Sequence, residues 1–244
     1  MKGNREKLQR VNLKEDYKEC IVCFIDISGY SNFVKVIEQA QDMIDAIVDI
    51  VNNTTSNIEK VHGQFGQKPF NINIVSDSIV VTAEYQKDPS AENDWWSVFT
   101  PIMSVIYASS KIQAEYLERG FLVKGGLCLG RIYRDNNMVF GEALAEAVKM
   151  ESENRKPCII VANTVVDLLI SSLEILKIPF NPEILGRLFR KDENESSTYL
   201  HYLMINAYYY QQLHEYPEDD GTSGLKRHQE GLIEAINRNK NGMN

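Results

Sequence analysis

The chain has 244 residues, 43% of them hydrophobic and 25% charged, which suits one substantial core in a globular protein. A formal net charge of −8 excludes a general nucleic-acid binder, which needs a clustered basic footprint. No apolar run approaches the roughly 20 residues of a membrane helix, and MKGNREKLQR lacks the apolar core of a signal peptide, so the cytoplasm is the expected location and no membrane partner is expected.

Arg5 to Tyr17 mix charge with occasional leucine and read as a short helix or arm. Cys20 to Ile27 form the first strand, an apolar run that ends on the carboxylate Asp26. From Ser31 the spacing of Phe33, Ile37, Ala40, Ile44, Ile47, Val48 and Val51 predicts a long amphipathic helix ending before Gly63. NINIVSDSIVVTA, Asn71 to Ala83, alternates on both sides of Ser76-Asp77-Ser78 and predicts a hairpin with a short polar turn. Trp95, Phe99, Ile102 and Ile106 mark one face of a second helix that ends at Gly120. FLVKGGLCLGRIYRDNNMVFG gives two strands around Arg131 to Asn137, with glycines where backbone passes closely or bends. Glu142 to Ser152 read as a helix, Pro157 to Ala162 as a strand and Thr198 to Met204 as another. HEYPEDDGTSG reads as a loop, Leu225 to Ile236 as a terminal helix, and NRNKNGMN as a disordered tail. Single helices mixed with antiparallel hairpins predict an α+β fold, a mainly antiparallel sheet flanked by helices.

Cys20 and Cys23 form a CxxC, but residues three apart in a strand face opposite ways. With Cys128 and Cys158 alone in apolar runs, buried reduced thiols are expected rather than zinc or redox chemistry. His62, His201, His214 and His228 have no ligand-like spacing.

Asp26 ends the first strand and Asp77 lies in the hairpin turn. If that hairpin pairs beside the first strand, both carboxylates reach one sheet edge. Two adjacent carboxylates repel unless a cation lies between them, and magnesium or manganese takes carboxylate oxygens together with substrate phosphates. The segment from Ile27 through Ser28, Gly29 and Tyr30 to Ser31 turns into the long helix, where backbone N–H groups can receive phosphate. The same two aspartates would equally serve as a helix cap and a turn residue.

These segments resemble the class III nucleotidyl cyclases. FIDISGYSNF resembles their first metal motif, and IVSDSIVV their second metal strand, with Ser76-Asp77 in place of Gly-Asp. LVKGGLCLG and VFGEALAEAVKMES resemble the later glycine strand and the helix entry after it. The similarity runs from Cys20 to Val161 in the family's order and implies a ferredoxin-like cyclase core. It departs from purine cyclases where they read the base: their lysine and aspartate fall at Asn73 and Met138. The family's ribose asparagine and transition-state arginine fall at Ala145 and Lys149.

Retained metal carboxylates without the purine reader resemble the bacterial pyrimidine cyclases of Pycsar antiphage systems, in which cyclic UMP or cyclic CMP is made by one protein and read by a separate effector. The resemblance implies two Mg2+ or Mn2+ ions per site held by Asp26, Ile27 and Asp77, and catalysis by Asp26, Asp77 and Lys149. It implies substrate contacts from Ile27, Ser28, Gly29, Tyr30, Asn73 and Met138, and a nucleoside triphosphate as substrate. A homodimer with shared active sites follows, with Arg131 and Arg134 in a hairpin near its interface. The domain layout it implies is an arm over 1–19, a catalytic domain over 20–205 and a helical extension with its tail over 206–244. A purine cyclase and a catalytically silent cyclase-like binding module are the alternatives; Asn73 can serve uracil or cytosine.

Overall fold

The computed structural model describes residues 16–28, 37–62, 70–86, 95–135, 138–178, 182–191, 197–203 and 205. The expected N-terminal arm lies almost wholly outside them; Gly29, Tyr30, the HEYPEDDGTSG loop, the terminal helix and the tail lie entirely outside. Among the described residues eight strands form one mixed sheet: β1 (Lys18–Ile27), β2 (Asn71–Val75), β3 (Ser78–Glu84), β4 (Val123–Arg134), β5 (Val139–Gly141), β6 (Ile159–Val161), β7 (Phe189–Lys191) and β8 (Thr198–Leu200). The helices are α1 (Ile37–His62), α2 (Trp96–Glu118), α3 (Glu142–Glu153), α4 (Asn163–Ile175) and α5 (Pro182–Leu188).

The sheet order is β2-β3-β1-β4-β6-β8-β7, with β5 on β4. Its first half, β1-α1-β2-β3-α2-β4, places β1 between β3 and β4 with every neighbour antiparallel, which is the ferredoxin-like split βαβ arrangement. The pair β4 and β6 is parallel and is joined across α3, as a parallel connection requires a crossover.

Strand alternation assigns the two faces. Ile21, Cys23, Ile25 and Ile27 point into the larger core, which holds Met43, Ile47, Ile50 and Ile58 of α1, the apolar residues of α2, and Val165, Leu169 and Leu173 of α4. Cys20 and Val22 point the other way, to a smaller core with Val80, Cys128, Ile132, and Ala143 and Ala147 of α3. The CxxC is thus split across the sheet as its spacing predicts, and Cys20, Cys23, Cys128 and Cys158 form no disulfide. Burial pushes the Cys20, Cys23 and Cys128 thiols up to about 12, which keeps them protonated and inert.

Two backbone devices position α3. At Gly126 a Cβ would run into the carbonyl oxygen of Ala147 and lie 2.7 Å from Met150 Cβ, so only glycine admits the helix this close to β4. At Gly141, φ is +152° and a Cβ would lie 2.7 Å from Ile132 Cα, so the chain turns from β5 into α3 without a side chain. In α2, Pro101 cannot donate to the Ser97 carbonyl, which instead accepts the Gln86 N–H at 3.5 Å.

The strand expected over Thr198 to Met204 ends at Leu200. There the backbone leaves the ladder: His201 N–H donates to Leu188 O at 2.9 Å, and Ile205 N–H reaches back to His201 O at 3.2 Å in a helical bond. Ser78, expected in the hairpin turn, is already the first residue of β3. Among the described residues no helix is long and apolar enough to cross a membrane.

Candidate active site

The hairpin does pair beside the first strand. In the register Ile25 faces Ile79 on one side, while Asp26 faces Lys124 and Ile27 faces Val123 on the other. This brings the end of β1 beside the β2–β3 turn that carries Asp77. Asp26 points to the face covered by α3, since Ile25 and Ile27 point into the larger core. Ser78 Oγ donates to Asp26 Oδ1 at 2.7 Å. Across the same row, Val75 faces Ser78.

The turn between the strands is two residues long, and its first, Ser76, has φ +59°. A left-handed conformation there is what a two-residue hairpin of this length demands, usually from glycine.

Asp26 sits in a mixed field. Desolvation raises its pKa most; the Ser78 hydrogen bond opposes that, the charges of Asp77 and Glu151 add to the rise, and Lys124 lowers it. Lys124 does not close on Asp26: its Nζ lies 2.7 Å from Glu151 Oε1, on the last turn of α3. Tyr116, on α2, is fully buried and its hydroxyl finds no partner among the described residues. Desolvation holds its pKa above the usual range, and the charges of Asp77 and Asp26 push the same way.

Of the expected site residues, Asp26, Asp77 and the backbone of Ile27 lie together at one sheet end. Asn73 faces Val80, which faces Phe24, two residues back from Asp26, so Asn73 shares the α3-covered face one row down the sheet. Ser28 follows Asp26 by two residues, but its N–H is bonded to Leu122 O at 2.8 Å and is not offered to a phosphate in this conformation.

Met138 and Lys149 do not join these residues within one chain. Met138 follows β4, whose Arg134 lies ten residues beyond Lys124, about 33 Å of strand. There Met138 is 44% exposed, its N–H donating to Asp135 Oδ1 at 2.8 Å. Lys149 lies two residues past Ala147, which rests on the sheet, so its side chain leaves the outer face of α3. It is 60% exposed and sits 4.0 Å from Glu146. Ala145 shares that outer face.

Arg131 bonds Glu142 at 3.2 Å, and Arg134 donates to Thr82 Oγ1 at 2.9 Å, so both are engaged inside the chain. Ser78, Lys124 and Glu151 belong to the site and went unassigned in the sequence. Strand alternation puts Ser78 on the same face as Val80, but only the β1–β3 register sets it beside Asp26.

No protein-family model and no curated protein sequence matches the chain. Its fold is similar to that of the adenylyl cyclase CyaB from P. aeruginosa, at 14% identity and a TM-score of 0.40, covering 75% of this chain and 93% of that one. It is also similar to the guanylyl cyclase Cya2, at 12% identity and a TM-score of 0.35, covering 76% and 92%. An adenylate/guanylate cyclase/hydrolase from Silicibacter pomeroyi shows 13% identity and a TM-score of 0.38, covering 75% and 97%. These are similarities of fold and assign no residue or substrate to this chain.

Proposed function

We propose that the chain is a pyrimidine nucleotide cyclase. The ribose 3′-oxygen of UTP or CTP bonds to the α-phosphorus, the bond from that phosphorus to the β-phosphate bridge breaks, pyrophosphate leaves, and the hydroxyl proton passes to water. The observation that supports this most is the gathering of Asp26 and Asp77 at one sheet end with Asn73 on the Asp26 face, in an order of segments that resembles the class III cyclases.

The donor set fits a hard divalent cation. Two carboxylates and the Ile27 carbonyl are all oxygen ligands, and among the described residues no group of three or more His, Cys, Asp or Glu competes to form a closed metal cage. Mg2+ or Mn2+, two ions on this reading, supplies charge neutralisation at the triphosphate and at the attacking oxygen when bound. Asp26 and Asp77 hold the ions, and Ser78 fixes the Asp26 carboxylate through its hydroxyl. Phosphoryl transfer depends chiefly on such positioning and charge.

The exposed sites of Met138 and Lys149, apart from the carboxylates, support a homodimer in which a second copy completes each site. On the same resemblance the product serves as an antiphage signal read by a separate effector.

The test incubates the protein with Mn2+ and ATP, GTP, CTP or UTP in turn and identifies products by mass. Cyclic UMP or cyclic CMP is expected to dominate, and Asp26→Asn and Asp77→Asn are each expected to abolish it in a folded protein. Cyclic AMP or cyclic GMP as the main product overturns the base choice. No cyclic product at all makes the chain a silent binding module.

A further inference from the structure

Lys124 is placed to ruin the site it borders. Its Cα faces that of Asp26 across an antiparallel pair, the two side chains leave the same sheet face, and cross-strand neighbours lie about 5 Å apart at Cβ. An ammonium on a four-carbon stem at that separation reaches the carboxylate easily, and in doing so would occupy the space a metal needs. It instead turns along α3 to Glu151, with Nζ 2.7 Å from Oε1. Glu151 has no freedom to release it at low cost: its side chain is 11% exposed against 26% for Lys124, and a buried carboxylate without its partner is strongly disfavoured. Gly126 fixes the distance, because it seats Ala147 and Met150 directly on β4 and so brings the last turn of α3 down to Lys124.

We propose that Glu151 is a positioning residue that holds Lys124 off Asp26 and so keeps the carboxylate pair open to a divalent cation. The inference rests on the metal-site reading of Asp26 and Asp77. Its signature is a competition: without the Glu151 charge, Lys124 swings to Asp26 and excludes the cation, and without Lys124 the loss of Glu151 costs nothing at the metal.

Binding of Mn2+ to the whole protein, followed by the loss of the free-ion EPR signal with no nucleotide present, tests this directly. Wild type, Asp26→Asn, Glu151→Gln, Lys124→Met and the double variant Lys124→Met/Glu151→Gln are compared, with circular dichroism recorded on each. Glu151→Gln is expected to bind Mn2+ about tenfold more weakly than wild type, as expected for a cation moved next to the site. The double variant is expected to return to wild-type affinity, and Lys124→Met to bind at least as tightly. Asp26-dependent binding that is unchanged in Glu151→Gln, or not restored in the double variant, overturns the positioning role and leaves the metal site standing. Absence of Asp26-dependent binding in the wild type overturns both. If Glu151→Gln does not fold, the comparison of Lys124→Met with wild type decides, since weaker binding there is incompatible with Lys124 as a competitor.

Discussion

Asp26 is held by opposing forces, and the balance has a sign that can be measured. Burial, with the charges of Asp77 and Glu151 added, raises its pKa above the usual aspartate value against the Ser78 hydrogen bond and Lys124. The folded chain therefore keeps this proton to higher pH than the unfolded chain, whose aspartates ionise near about 3.9. Stability contributed at Asp26 is complete below that value, falls as pH rises through the window up to the raised folded value, and stays reduced above it. Asp26→Asn removes the deficit while its side-chain oxygen can still accept from Ser78. Without metal the variant is expected to melt above wild type at pH 7, with the gap closing as the pH drops below about 4; a lower melting temperature at pH 7 contradicts this. The aspartate pair was legible in the sequence because each sits at the end of a strongly patterned segment. Ser78, Lys124 and Glu151 were not, because only the pairing of β1 with β3 and β4, and the descent of α3 onto Gly126, make them neighbours of Asp26.

At the level of elements, the β2–β3 hairpin carries a cost at its tip. Ser76 stands at φ +59°, where an L side chain is disfavoured by roughly 1–2 kcal/mol, partly offset by the entropy a glycine loses on folding. Ser76→Gly is expected to stabilise the protein by about 0.5–1 kcal/mol, read as a higher urea midpoint with an unchanged slope; a lower midpoint means the Ser76 side chain makes a contact worth more than its strain. Long periodic elements were readable in advance: the hairpin, α2 and the β4 to α3 segment fall where spacing puts them, and α1 is a helix over its described residues, 37–62, residues 31–36 of the expected helix lying outside them. The face α1 buries differs from the expected one: Met43, Ile47, Ile50 and Ile58 pack inward while Ile44 and Val48 are exposed, because the expected stripe followed one row of apolar residues on a helix that carries apolar residues on a wider arc. Three elements escaped. α4 buries Val165, Leu169, Ser172 and Leu173 at helical spacing, but its opening residues Thr164, Val165 and Val166 are β-branched, so propensity and period disagree. α5 spans seven residues, too few for a period. β7 spans three residues and is a strand only because β8 pairs with it.

Across the whole molecule, the sheet separates what the proposed reaction needs together, with the carboxylates at one end of β4 and Met138 past the other. Mixing Asp26→Asn chains with Lys149→Ala chains, each inactive alone, is expected to restore roughly a quarter of wild-type turnover, since half of randomly formed dimers are mixed and each of those has one complete site. No recovery despite heterodimers seen by native mass spectrometry counts against shared sites. The position of Asn73 has its own consequence. It lies on β2, the strand at the rim of the described sheet, which among the described residues pairs only with β3 and whose residues are largely exposed, whereas Asp26 lies on β1 between two strands. Substitution at the rim disturbs little packing, while substitution around Asp26 disturbs the centre of the fold. On the proposed reading, Asn73 lets nucleotide preference drift over generations at the rim of the sheet, with the chemistry of the carboxylates inherited intact.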